Sequence, residues 1–236
     1  MVNAVATRRW TDGETVWFAV TGIGPELAGA APRLLMGYEH IGQEWRHGYP
    51  AGTPHLERAW QNFARYMEPV LRQAARLDPI PWREALREVC RRTSGRPVDW
   101  WLTGSAALAV RGAPIVPGDI DLVSGGQDAV ELGGLFSDAL IEPVGPASQD
   151  ETSLSERWGR AFCAARIEWI GGARPWVDEP LPGDFGPVAA SRLDTLTFEE
   201  WSVRVPPLDL QRAVCERRGL TDRVAMIDAL EPFRSL

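Results

Sequence analysis

Lysine is absent from this chain: all 25 basic residues among its 236 are arginine. The absence excludes a Walker-type phosphate loop, a protein-kinase catalytic lysine and a pyridoxal-phosphate Schiff base, each of which needs a primary amine. Any phosphate must instead be met by arginine's planar fork or by backbone N–H groups. Histidine is scarce, and His40, His47 and His55 all fall in the N-terminal third without ligand-like spacing. A metal here is therefore expected to sit on oxygen donors, as Mg²⁺ or Mn²⁺ rather than zinc. Cys90, Cys163 and Cys215 are odd in number and far apart, as for free thiols of a reducing cytoplasm. No apolar run is long enough for a secretory leader or a membrane span, so a cytoplasmic location is expected. A net charge of −7 leaves no basic footprint for duplex nucleic acid.

What is present is concentrated in one stretch. Trp100-Trp101-Leu102-Thr103 reads as a strand that ends in Gly104-Ser105, and Ala106-Ala107-Leu108-Ala109-Val110 reads as a helix stopped by Gly112 and Pro114. Ser105 is the expected N-cap. Asp119-Ile120-Asp121-Leu122-Val123 then supplies a second apolar strand with two acids two positions apart. Strand side chains alternate, so Asp119 and Asp121 share a face with Cα atoms about 6.5–7 Å apart. Such a pair can hold hard cations for in-line displacement at phosphorus, and N–H groups at the helix start bind phosphate oxygens. Arg111, at the end of the helix, is within reach of a phosphate but equally suits the helix dipole. A further strand, Ala165-Arg166-Ile167-Glu168-Trp169-Ile170, alternates Ile167 and Trp169 against Arg166 and Glu168, with Trp158 to Ala164 as its hairpin partner.

The Gly-Ser turn followed by Asp-x-Asp in an apolar strand resembles the nucleotidyltransferase superfamily of the DNA polymerase β type. The wording Gly-Ser-Ala-Ala-Leu-Ala-Val-Arg-Gly is most similar to small bacterial members, the antibiotic nucleotidyltransferases and toxin-like relatives. The resemblance covers about Asp99 to Gly171 and continues more faintly through Val203 to Pro207 and on to the C-terminus. It implies that Asp119 and Asp121 hold two Mg²⁺ (or Mn²⁺) ions, that Gly104 and Ser105 anchor the β and γ phosphates, and that Arg111 assists. It also implies a third carboxylate, Glu168, as metal ligand or general base, with Asp178 or Glu179 in reserve. A base role would suit Glu168 if nearby acids raised its pKa. The implied reaction moves a nucleoside monophosphate from a triphosphate, ATP first, to a hydroxyl, releasing pyrophosphate. A small-molecule acceptor resembling an aminoglycoside or lincosamide comes first, because the chain is short and acidic. The alternatives are a toxin-like enzyme acting on tRNA or a protein, and a non-catalytic nucleotide-binding protein.

The expected architecture is α/β (α+β): a small mixed sheet flanked by helices over 82–236, preceded by a mostly helical region over 1–81. In that first region Glu14 to Thr21 reads as a strand and Arg33 to Arg46 as a helix. Thr53-Pro54 reads as the opening of a second helix, which Pro69 should kink or split. Its stripe of Leu56, Trp60, Phe63, Met67, Val70 and Leu71 predicts a buried face, packed on the catalytic part and forming one wall of the acceptor cleft. Beyond it are expected helices at Trp82 to Arg92 and Ala129 to Leu140, a polar loop at Ala147 to Glu156 and an irregular segment at Pro175 to Pro187. A hairpin of Asp194 to Phe198 with Ser202 to Val205 precedes helices at Leu208 to Arg218 and from Thr221 to Pro232.

Overall fold

In the computed structural model, which describes residues 5–146 and 154–230, the chain opens with a sheet. Strands β1 (Ala6–Asp12) and β2 (Thr15–Thr21) form a hairpin, followed by the single turns α1 (Pro25–Ala28) and α2 (Ala31–Leu34). Strands β3 (Glu39–Ile41) and β4 (Glu44–Pro50) complete a four-stranded antiparallel sheet in the order β1-β2-β4-β3. Of these strands only β2 matches a sequence expectation. Arg33 to Arg46 is a correction: the chain turns at Gly37 and Gly42, with φ of +90° and +63°, and β-prone His40-Ile41 and Trp45 pair across a hairpin instead of continuing a helix.

Helix α3 (Leu56–Ala74) carries the predicted stripe, with Phe63, Met67 and Leu71 fully buried. Its start and middle differ from expectation. His55, at φ +61°, stands before the first helical residue, so Thr53-Pro54 lies outside the helix. Pro69 does not split it: the buried faces of Met67, Val70 and Leu71 hold the turns on either side. The helix is docked on the rest of the molecule by the Asn62 side-chain amide, which donates to the carbonyls of Asp138 and Leu140 at 2.9 Å each.

Helix α4 (Trp82–Thr93) leads to β5 (Trp100–Thr103), α5 (Gly104–Val110), β6 (Ile120–Ser124), α6 (Gly126–Leu135), β7 (Leu140–Pro146), β8 (Ser155–Cys163) and β9 (Ala165–Ala173). The five strands form one mixed sheet in the order β5-β6-β9-β8-β7, with β6 and β9 parallel and the other neighbours antiparallel. Helix α6 ends at Leu135, five residues short of the expected Leu140, which begins a strand. The glycine inside α6 has a packing reason: a Cβ on Gly133 would lie 2.4 Å from a methyl of Val144 on β7. A single 3₁₀ turn at Pro175–Asp178 and α7 (Pro187–Ala190) are the regular pieces of the irregular segment. The chain closes with the hairpin β10 (Asp194–Phe198) and β11 (Trp201–Val205), then α8 (Leu208–Arg217) and α9 (Thr221–Leu230), close to expectation. The polar loop expected over 147–156 falls on 147–153, outside the described residues, while Ser155 and Glu156 belong to β8; Pro232 also lies outside.

The class is thus mixed α+β, small sheets flanked by helices. One hydrophobic core runs from Phe18 on β2 through Phe63 on α3 to Leu102, Ile120 and Trp169 in the five-stranded sheet. A smaller cluster of Leu108, Leu208, Cys215 and Ile227 seats α8 and α9 beside α5. Cys90, Cys163 and Cys215 are free. Among the described residues no helix is long and apolar enough to cross a membrane.

Because Phe63 packs against Phe18, Trp60 and Tyr38 where α3 meets the N-terminal sheet, Phe63→Ala should cost about 3–5 kcal/mol. Urea titration should show a lower midpoint at unchanged slope.

Candidate active site

The sheet register assembles the site. Thr103 on β5 stands opposite Asp121 on β6, Asp121 opposite Glu168 on β9, and Glu168 opposite Arg160 on β8. Opposed residues on neighbouring strands share a face, so one row of the sheet reads Thr103, Asp121, Glu168, Arg160. Asp119 enters from the residue before β6. Single carboxylate oxygens of Asp119, Asp121 and Glu168 all lie within 4.8 Å of one another, each in a partly buried residue.

Gly104 makes the approach possible. It has φ +62°, and a Cβ there would lie 2.5 Å from Asp121 Oδ2, so a side chain at this position would be strained and would displace the Asp121 carboxylate. The turn differs from expectation in its cap. Helix α5 starts at Gly104 with Thr103 before it, which puts Ser105 inside the first turn rather than at the N-cap. The Thr103 hydroxyl donates to Asp184 Oδ2 at 3.0 Å and so is not spent on capping. At its other end α5 closes with the Gly112 N–H on the Ala109 carbonyl and the Ala113 N–H on the Leu108 carbonyl, a Schellman pattern that supports the predicted stop.

Two arginines set the charge of the three acids. Arg166 is ion-paired with Asp119 and lies 3.5 Å from Glu168; Arg160 is ion-paired with Glu168 and with the buried Glu142. Burial raises the Asp121 carboxyl well above the ordinary range, and the charges of Asp119 and Glu168 push it the same way. Glu168 behaves oppositely. Burial alone would raise it, but Arg160 and Arg166 outweigh that and hold it below the ordinary value. The condition under which a base role would suit Glu168, a pKa raised by nearby acids, is therefore not met. Burial also raises Asp184, which the Thr103 hydroxyl partly offsets.

A cavity of about 580 Å³ opens over Asp119 and Asp121, while Glu168 lies behind them and is not part of its lining. Gly104, Ser105, Asp119, Asp121 and Arg166 form its floor, Arg218 and Arg223 approach from the C-terminal helices, and Glu26, Arg33, Gln73 and Arg76 come from the N-terminal region. Arg76 also donates to the carbonyls of Val116 and Pro117, steadying the segment that delivers Asp119. Arg111 stands apart from this group: it is almost fully buried, ion-paired with Asp194 at 2.6 Å and bonded to the Pro206 carbonyl, and does not line the cavity. Asp178 accepts from the backbone N–H groups of Gly183 and Val188, shaping the irregular segment.

Sequence reasoning missed Arg160, Glu142 and Asp184. A signal existed for Arg160, an arginine alternating with Trp158 and Phe162 in a strand read as the partner of Glu168. No motif marked Asp184.

An acid trio crowded together, with one member pushed towards its protonated form and arginines supplying only part of the countercharge, is a donor set that fits an oxygen-preferring divalent ion.

No protein-family model matches the chain, and no curated protein matches it. Among solved structures, the chain is similar to a protein of Thermotoga maritima taken to be a nucleotidyltransferase, at 20% identity over 61% of this chain and 89% of that one, with a TM-score of 0.49. It is also similar to ANT(2″)-Ia in complex with adenylyl-2″-tobramycin, at 14% identity over 65% of this chain and 98% of that one, with a TM-score of 0.37. At these values neither likeness bears on substrate or mechanism, which are argued from the site itself.

Gly104→Ala should separate fold from site. The added methyl meets the Asp121 carboxylate and L-residues disfavour this φ, so about 1–2 kcal/mol of stability should be lost. Mn²⁺ binding, followed by the paramagnetic signal of the free ion, should weaken in the folded fraction.

Proposed function

We propose that the chain is a metal-dependent nucleotidyltransferase that moves a nucleoside monophosphate from a triphosphate to the hydroxyl of a small-molecule acceptor. The observation that carries this reading is the convergence of Asp119, Asp121 and Glu168 within 4.8 Å, directly beside the Gly104 turn. Asp119, Asp121 and Glu168 would hold Mg²⁺, which would supply positive charge against the negative charge that develops during displacement at phosphorus.

The chain's own residues supply binding and orientation. The N–H groups at the start of α5 and the Ser105 hydroxyl face the β and γ phosphates. Arg218 and Arg223 are placed to meet phosphate charge from the cavity's rim. Asp119 and Asp121 serve as ligands. Glu168, held ionised between Arg160 and Arg166, serves as the third ligand, and its lowered pKa suits it to that role better than to taking the proton of the attacking hydroxyl. Arg111 is assigned to structure. The N-terminal wall, with Glu26, Arg33 and Arg76, is where an acceptor would lie.

Incubation with each labelled triphosphate, Mg²⁺ and a panel of acceptors that includes amino sugars and lincosamides tests the reading by mass spectrometry. The expected result is an acceptor heavier by one nucleoside monophosphate, with pyrophosphate released. Absence of any such adduct, with no metal-dependent nucleotide binding, would overturn it.

The three acids should fail together. Asp119→Asn, Asp121→Asn and Glu168→Gln should each abolish turnover and reduce the stabilisation given by Mg²⁺ with nucleotide. In the wild type that stabilisation is about 2.7 kcal/mol at one hundred times the dissociation constant. A Glu168→Gln variant with wild-type turnover would remove Glu168 from the site.

A further inference from the structure

After Trp169, Arg160 is the largest side chain below 2% exposed. Its guanidinium joins carboxylates on both neighbouring strands, Glu142 on β7 and Glu168 on β9, with the Trp158 ring 4.4 Å away. Glu142 is fully buried and accepts a hydrogen bond at 3.3 Å from the hydroxyl of Tyr49, which belongs to β4 of the N-terminal sheet. Tyr38 lies against the same group: burial, and then the Glu142 charge, raises its phenol. A continuous polar chain therefore runs from Tyr49 through Glu142 and Arg160 to Glu168.

Stability alone gives no reason for this chain. A buried ion pair loses so much hydration that a hydrophobic pair of equal volume often serves as well or better. What such a pair does supply is direction, since a forked guanidinium fixed on one side by Glu142 presents its remaining N–H groups at one place on the other. That place is Glu168 Oε1. The second arginine near Glu168 does not duplicate the contact, for Arg166 is committed to Asp119 and stands 3.5 Å from Glu168.

The geometry points to Arg160 as a positioning residue that fixes the carboxylate of Glu168 for metal binding, and to Glu142 and Tyr49 as the anchors that carry this constraint in from the N-terminal sheet. The inference rests on the function proposed above. It adds that the N-terminal region reaches the reaction through a buried relay as well as through the cavity wall. Partners of metal-ligating groups commonly govern affinity in this way, with losses of about 10–100-fold when they are removed.

The test uses the full chain with Arg160→Met and Glu142→Leu combined, which removes the buried Glu142–Arg160 pair and also withdraws Arg160 from Glu168. The melting temperature should fall for that reason, so affinity is measured well below the melt: Mn²⁺ affinity falls about 10–100-fold and kcat falls with it, at unchanged KM for an acceptor that touches only the cavity wall. Arg160→Lys, which keeps the charge but not the fork, should recover part of the loss. A crystal structure of the double variant reads the position of Glu168 directly. A moved carboxylate supports the inference; an unmoved carboxylate with Mn²⁺ affinity within twofold of wild type overturns it. Should the double variant fail to fold, Tyr49→Phe and Arg160→Lys carry the same two readouts, and wild-type affinity in both would overturn it equally. If the wild type itself binds no Mn²⁺, the function proposed above fails, while the structural readout still decides whether Arg160 places Glu168.

Discussion

Crowding of like charge is the constraint on which this structure depends. Three carboxylates with oxygens inside 4.8 Å repel one another, at about 4 kcal/mol per ionised pair near 4 Å for an effective dielectric of about 20. The chain reduces this cost in separable ways. Arg166 neutralises Asp119, Arg160 neutralises Glu168, and the buried Asp121 carboxyl is raised towards its neutral form. Two arginines against three acids is incomplete compensation, and Glu142 takes part of the Arg160 charge. The remaining imbalance is what a divalent cation would remove.

Register is the means by which the sequence imposes that crowding. Asp121 and Glu168 meet because β6 and β9 run parallel with these two residues opposed, and a slip of one residue would send every side chain of the strand to the other face. The apolar residues prevent the slip. Ile120 and Leu122 on β6, and Ile167 and Trp169 on β9, are buried on the opposite face and would all be forced into the polar cavity. The same packing that stabilises the sheet thus determines where the acids stand. Gly104 completes the arrangement, since any larger residue would occupy the space of the Asp121 carboxylate.

Much of this was legible from period and punctuation. Strict alternation in 165–170 placed Glu168 on a polar face, and the apolar run before Gly104 located β5. The stripe from Leu56 to Leu71 identified the long helix. The failures share a cause, in that each depended on a partner distant in sequence. Pro69 ought to end a helix by local rules, yet burial of Met67, Val70 and Leu71 maintains it. Strand β3 is three exposed residues, and β1 and β4, though as long as β2, fully bury only Tyr49 between them. Their pattern is therefore weak until pairing with β2 and the cover of α3 supply the reason for it. Arg111 invited a phosphate role by standing next to the motif, but Asp194 and Pro206, more than eighty residues later, hold it elsewhere. The direction of the Glu168 pKa could not be read for the same reason: nearby acids are visible in sequence, whereas Arg160 reaches it only across a strand pair.

These long-range dependences bear on what the N-terminal region is for. It shares one core with the five-stranded sheet, walls the cavity with Glu26, Arg33 and Arg76, and anchors the segment before Asp119 through Arg76. If it were only a cover for apolar surface, the interface at Glu142 would be best built from hydrophobic residues, because burying charge there is costly. Instead a tyrosine of the N-terminal sheet donates to a fully buried glutamate whose arginine partner ends on an acid of the site. Polar contacts at Asn62, Gln73 and Tyr49 interrupt the shared apolar core, and the one at Tyr49 leads on to an acid of the candidate site. The Tyr49–Glu142–Arg160 contacts are thus the feature that an apolar cover alone would not need.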